Sequence, residues 1–360
     1  MKRALIVKLG AIGDVVMALP AVYALHLQGY SIDWVAAPQA ASVLRLYSFL
    51  RVIDADQSVV SKASVFQKLH GFRQVWSSLL GVRYDLVATL YYDWRYRLIS
   101  LPVIAARHIR LREDTRALRL LPGRHHTDEF ARILLGSMHI EGGDAGPQPT
   151  SLAPLCPDTL PPSPLPVAVK SRVVLAPGGA RNLLRDDMLR RWQIEHYAEL
   201  AELLTADGIE LVLVGGTADT WVREAFAAIP HIDLVDKLSL PELLALFDAS
   251  DIMVTHDSGP LHLAGVTSCG LLGIFGPVDP WTRLPRRPGA VALWGGEGFA
   301  CRPCYDGSRY ADCADNACMA QVTPQQAYDT VLTLLAQKAT GAFPAPAVRL
   351  PIISALSGAV

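Results

Sequence analysis

No uninterrupted apolar run in this chain approaches the ~20 residues of a membrane-spanning helix. That absence is informative because hydrophobic residues make up 51% of the 360 and the mean hydropathy is +0.26. A core-rich soluble fold is expected, with a peripheral place at a membrane surface left open. Charge of one sign is lacking as well. Lys+Arg 33 against Asp+Glu 34 gives a formal net charge of −1, so no global field recruits nucleic acid. Met1–Lys8 has no apolar core of a signal peptide and runs straight into a strand-like segment, from which a cytoplasmic location with reduced thiols is expected. The dinucleotide fingerprint G-x-G-x-x-G is missing: Gly10 and Gly13 do not make it, and no G-K-[ST] follows to make a P-loop. That disfavours a nicotinamide oxidoreductase. No cysteine has an evident histidine partner that would make it a nucleophile.

What is present is a repeated alternation of short apolar runs and amphipathic stretches, the pattern of a parallel α/β fold. Ala4–Val7 reads as a buried strand, followed by a glycine loop and a helix over Val15–Leu27. Ser31–Ala36, Val52–Asp54 and Asp85–Leu90 read as further strands, with a helix around Phe66–Leu80. The pattern restarts with a strand at Arg172–Ala176, a helix at Trp192–Asp207 and strands at Ile209–Val214 and His231–Val235. A helix at Leu240–Ala249, a strand at Ile252–Val254, a strand at Gly270–Phe275 and a helix at Gln325–Lys338 complete it. Pro, Gly and Ser crowd the stretch 142–166, which predicts a linker. The expected domains are 1–150, a linker at 151–168, 169–338, and an irregular tail at 339–360.

Several motifs carry chemistry. Asp257-Ser258-Gly259-Pro260-Leu261-His262 lies between a strand and a helix, where backbone N–H groups over Ser258–Leu261, the helix dipole, the Ser258 hydroxyl and His262 suit a phosphate. Ordinary helix capping would look the same. Asp14 opens the first helix beside a glycine loop, as a cap or as a proton acceptor for a hydroxyl, and Lys8 points at the same loop. Pro177–Asn182 with Arg185, Arg190 and Arg191 is denser in charge than a connection requires, and an arginine can offset a diphosphate's charge without a metal. Arginines recur over 92–128, either a solvated surface or an anion-binding face. Asp54-Ala55-Asp56 is read as a turn rather than a metal-binding pair. Cys301, Cys304, Cys313 and Cys318 follow a C-x2-C-x8-C-x4-C pattern, for which a structural zinc and free thiols are the alternatives.

Lys8–Ala21, Pro177–Trp192 and Thr255–Pro280 together resemble glycosyltransferase family 9, the ADP-heptose:lipopolysaccharide heptosyltransferases. The resemblance implies a GT-B fold, in which two Rossmann-like doubly wound domains, N-terminal for the acceptor and C-terminal for the nucleotide sugar, face a central cleft. It also implies an inverting transfer that needs no metal cofactor. Asp14 falls on the family's general base. Gly178, Arg190, Thr217, Leu238, Asp257, Ser258, Gly259, Leu261 and His262 fall on donor-binding positions. Arg190 stands where the family usually has a lysine, and Thr217 where an acidic residue is common. Lys8, Gly13, Arg95 and Arg97 are assigned to the acceptor. The implied partners are an ADP-activated sugar and a lipopolysaccharide core acceptor at the inner membrane surface, and nucleic acid is not among them. The rival expectations are a GT-B enzyme with another donor or a protein acceptor, and a silent adaptor in envelope assembly.

Overall fold

The computed structural model describes residues 2–56, 64–136, 152–180, 186–306 and 309–351. It divides into two compact units, Met1–Leu160 and Pro161–Val360. Arg181, Asn182, Arg185, residues 142–151 of the expected linker and the last nine residues of the tail lie outside the described residues.

The N-terminal unit runs β1 (Lys2–Val7), α1 (Ile12–Leu27), β2 (Tyr30–Ala36), α2 (Pro38–Leu44), β3 (Leu50–Asp54), α3 (Val65–Leu79), β4 (Arg83–Thr89), α4 (Tyr96–Ile99), β5 (Ile104–Arg110) and α5 (His126–Leu135). Its sheet has the order β3-β2-β1-β4-β5, every pair parallel. Ala4–Val7 are buried completely because a central parallel strand is covered on both faces, which is why β1 reads as a continuous apolar run. α1 packs on α5 and β2 and is apolar almost all round, with Val15 through Val22 buried. α3 begins at a capping box in which Ser64 and Gln67 satisfy each other's backbone N–H.

The C-terminal unit runs β6 (Arg172–Ala176), α6 (Ile194–Ala206), β7 (Glu210–Leu213), β8 (Ile232–Asp233), α7 (Leu240–Asp248), β9 (Ile252–His256), α8 (Gly259–Ala264), β10 (Gly270–Phe275), β11 (Ala290–Trp294), α9 (Ala317–Ala320), α10 (Pro324–Ala339) and β12 (Ala347–Arg349). The order is β12-β11-β10-β9-β6-β7-β8, again all parallel. One core cluster joins Val173 and Leu175 of β6 with Tyr197, Leu200 and Leu204 of α6 and Val331 and Leu334 of α10.

Three expectations change. The arginine-rich stretch contains β5, a largely exposed edge strand whose apolar residues are broken up by Arg107, His108 and Arg110. Ala347–Arg349, expected to be irregular, pairs with β11. The strand read over His231–Val235 shrinks to two residues at the opposite edge.

Candidate active site

Both sheets reverse direction of winding at their first strand. In the N-terminal unit β1 lies between β2 and β4, and in the C-terminal unit β6 lies between β7 and β9. The crevice outside the carboxyl ends at such a switch point is where open α/β sheets bind ligands. The loop after β1 carries Lys8 to Ala11, and those after β6 and β9 carry Pro177–Ala180 and Asp257–Ser258.

In the N-terminal unit the Lys8 side chain is 1% exposed. Its Nζ donates to Asp14 Oδ2 at 3.2 Å and to Leu90 O at 3.2 Å, and it lies 5.6 and 5.5 Å from the Tyr91 and Phe130 ring centres. The ammonium is therefore engaged inside the unit and does not reach out to an acceptor, as its place at the sheet edge had suggested. Asp14 is the third residue of α1, past the N-cap Ala11, and is 31% exposed. Its other oxygen lies 3.7 Å from His126 Nδ1 at the start of α5. Gly13 is buried in the same first turn. Burial first and the Asp14 charge next push the Tyr91 phenol up.

Of the acceptor-assigned arginines, Arg95 is paired with Asp93 while Arg97 is exposed. Arg112 and Arg124 are likewise held by Asp114 and Glu129, so part of the basic stretch is neutralised within the unit.

In the C-terminal unit Asp257 is buried, and its Oδ2 lies 3.3 Å from Arg190 Nη1. Burial works against its charge, but Arg190 and then Arg283 outweigh it and hold the carboxyl below its usual range. For Arg190 burial again opposes the charge, and Asp257 and the phenols of Tyr310 and Tyr305 more than compensate, so the guanidinium is held charged. The adjacent His256 is fully buried, its Nδ1 3.2 Å from Tyr197 Oη, and burial first and then Arg191 push it down to about 3. It is neutral and structural.

Sequence reasoning missed the residue that holds the glycine loops. Asp219 accepts from Gly179 N through Oδ1 and from Gly216 N through Oδ2, both at 2.8 Å. A Cβ on Gly178 would fall 2.4 Å from Asp219 Cγ, so Gly178 is glycine to admit this carboxylate. Gly179 itself has φ +83°. Its contact with Gly216, three residues back, is an ordinary helix-capping pattern, whereas nothing local marks the contact with Gly179, 40 residues away.

The phosphate reading of Ser258–Leu261 needs correction. α8 has six residues, Pro260 has no N–H, and Leu261 N donates to Ser258 O at 3.2 Å, which leaves Ser258 and Gly259 as candidate backbone donors. The Ser258 hydroxyl does not cap the helix but lies 3.2 Å from Thr255 Oγ1. Leu261 faces the core against Gly273, and His262 is buried. Thr217 is exposed and donates to Asp236 Oδ1, and Leu238 is half-buried nearby in the chain.

The four cysteines lie near enough to feel one another's charge, Cys304 and Cys318 being pushed up by burial first and by the neighbouring thiols as well. Among the described residues no three His, Cys, Asp or Glu side chains converge on a point that would hold an ion. Cys301 and Cys313 are exposed, Cys313 Sγ turns to Asp315, and Cys318 Sγ turns to Asn316. The structural zinc expected from the spacing finds no support.

Residues 165–313, the stretch that contains this second loop cluster, match the family model described as glycosyltransferase family 9 (heptosyltransferase). This matched stretch, less than half of the chain, is similar to glycosyltransferase family 9. The chain is 34% identical over 98 residues to lipooligosaccharide heptosyltransferase 2 of Haemophilus influenzae, covering 25% of this chain and 28% of that protein. It is 27% identical over 160 residues to lipopolysaccharide heptosyltransferase 2 of Escherichia coli, covering 41% and 44%. The matched stretches thus span less than half of these relatives. The structure of E. coli ADP-heptose lipopolysaccharide heptosyltransferase II superposes with a TM-score of 0.67 over 94% of this chain and all of that one. At 19% identity this likeness establishes the shared GT-B fold.

Proposed function

We propose that this protein transfers a heptose from ADP-heptose to a hydroxyl of a lipopolysaccharide inner-core acceptor, with inversion and without a metal. The observation that carries the reading is the buried Asp257–Arg190 pair at the switch point of the unit that matches the family. A guanidinium held charged beside glycine loops suits a diphosphate leaving group, and it takes the part that a cation must play when no metal does. The neighbouring relatives are named for ADP-heptose and lipopolysaccharide, which supports the choice of donor and acceptor class.

In this mechanism Asp14 accepts the proton of the acceptor hydroxyl as its oxygen bonds to the anomeric carbon. The bond from that carbon to the diphosphate breaks on the opposite face, and ADP leaves with its added negative charge offset by Arg190. Gly178 and Gly179, shaped by Asp219, allow the diphosphate close to the backbone, with Ser258 and Gly259 as donors. Thr217 and Leu238 flank the nucleoside, where Asp236 brings the carboxylate that Thr217 itself lacks. Arg97 and the unneutralised part of the basic stretch meet acceptor phosphates or carboxylates at the cytoplasmic face of the inner membrane. No helix among the described residues is long and apolar enough to cross a membrane, so any attachment is peripheral in this reading.

The test is release of ADP from ADP-heptose with a panel of acceptors, protein acceptors included, with and without EDTA. Acceptor-dependent release that survives EDTA is expected. Turnover with a different nucleotide sugar, or release that EDTA abolishes, would overturn the assignment.

A further inference from the structure

The stretch that carries the four cysteines is anchored at three places. Tyr305 and Tyr310 form an antiparallel bridge, and Ala311 N donates to Cys304 O at 3.1 Å. Tyr305 N donates to Pro277 O at 3.1 Å, in the turn after β10. At the far end Asn316 Nδ2 donates to Arg191 O at 3.1 Å, and Trp192 Nε1 donates to Val322 O at 2.8 Å. These contacts surround one residue of the donor site. The Tyr305 and Tyr310 rings are 4.7 Å apart at 34°, and the Arg190 guanidinium carbon lies 5.1 and 5.8 Å from their centres. Arg190 Nε donates to Tyr310 Oη at 2.5 Å, while Nη1 faces Asp257.

An arginine has several rotatable bonds, and grasping a diphosphate freezes them. Freezing them beforehand makes binding tighter. Here two aromatic rings lie against the guanidinium, one phenol oxygen engages Nε, and the Arg191 carbonyl and the Trp192 indole that follow it are tied to the same stretch and its continuation. We infer that the 301–318 stretch is the device that aims Arg190 at the donor diphosphate, with Tyr305 and Tyr310 as positioning residues. The inference rests on the donor reading of Arg190. It also gives the cysteine-bearing stretch a role that needs no metal: its rings, rather than its thiols, are what the site uses.

Calorimetric titration with ADP and with inorganic pyrophosphate tests it through a double-mutant cycle. Tyr305→Ala/Tyr310→Ala is expected to weaken ADP and pyrophosphate about tenfold, the value of a cation–π and hydrogen-bond clamp. Tyr310→Phe, which keeps the ring, should fall between. In an Arg190→Ala background the same tyrosine changes should add less than about twofold, since positioning acts only through the arginine. Unchanged affinity in the double variant, or an equal loss with and without Arg190, overturns the role of the 301–318 stretch and leaves the donor reading intact. A wild-type protein that binds neither ADP nor pyrophosphate overturns both. Should the double variant not fold, Tyr305→Leu and Tyr310→Phe run the same cycle singly.

Discussion

The Lys8–Asp14 pair makes an asymmetric demand on stability. Lys8 is sealed in the N-terminal unit while Asp14 is partly solvated, so removing either charge leaves very different remainders. Asp14→Asn strands an ammonium with only Leu90 O and two aromatic rings for company. Breaking a buried pair by deleting one partner costs about 3–5 kcal/mol, and those residual contacts return part of it, so a loss of about 3 kcal/mol is expected. Lys8→Met leaves a carboxylate that water can reach, at a cost of about 1 kcal/mol. Lys8→Met/Asp14→Asn removes both charges and should recover to within about 1 kcal/mol of wild type. Urea unfolding followed by tryptophan fluorescence is a direct assay, because the Trp34 indole donates to Lys8 O at 3.1 Å and reports on this neighbourhood. ADP release is measured on the same samples. Asp14→Asn as stable as wild type, with no recovery in the double variant, refutes the electrostatic argument. Restored turnover in the stable double variant refutes Asp14 as the base.

Three further outcomes follow from the C-terminal unit. His256 is neutral in the folded protein with its pKa near 3, against 6.5 when unfolded. Its contribution is complete above pH 6.5 and is lost as pH falls toward 3, by up to about 1.4 kcal/mol per pH unit. Urea midpoints for His256→Gln between pH 7 and 5 should fall less steeply than wild type, and parallel curves would show that His256 does not titrate in this way. Asp219→Asn turns an amide N–H₂ toward one of two backbone N–H groups, which should cost about 1–3 kcal/mol and weaken ADP; unaltered binding and stability would remove Asp219 from the site. Gly178→Ala pushes a methyl into the same carboxylate, so its ADP affinity should fall in parallel with that of Asp219→Asn, and a loss confined to turnover would contradict the packing argument.

The parts of the fold legible in the sequence are those whose signal is local. β1, β6, β9 and β10 are central strands covered on both faces, so their apolar runs mark them directly, and the glycine loops follow at once. β5 and β12 are edge strands whose partners supply the pattern, and of their residues only Ile109 is buried. The site divides in the same way. Arg190 and Asp257 stand in recognisable motifs, whereas the groups that set their behaviour, Tyr310, Tyr305 and Arg283, arrive from distant parts of the chain. The contacts of Asp219 with Gly179 and of His126 with Asp14 are long-range in the same way. The cysteine spacing does bring the thiols near one another, since Cys304 and Cys318 each feel the charges of the others, but nearness along a loop is not the convergence on one point that an ion needs.

The two switch points carry the same device with its polarity reversed. Each has one carboxylate and one cation, and in each the better buried member holds the better exposed one in place. After β1 the cation is buried and the carboxylate faces outward, at 1% and 31% exposure. After β9 the carboxylate is buried at 4% and the guanidinium is the more open at 17%. The unit with the outward carboxylate can accept a proton but repels a diphosphate; the unit with the outward guanidinium attracts a diphosphate but is no base. A glycosyl transfer needs a proton acceptor for the incoming hydroxyl and a cation for the ADP that leaves, and these are the two polarities that the pairs offer. If the pairs work in this way, exchanging polarity is more damaging than deleting charge. Arg190→Glu should weaken ADP well beyond Arg190→Ala, because a second carboxylate beside Asp257 repels the diphosphate that the arginine attracts. ADP titration of the two variants decides it, and equal affinities would mean that Arg190 contributes shape rather than charge.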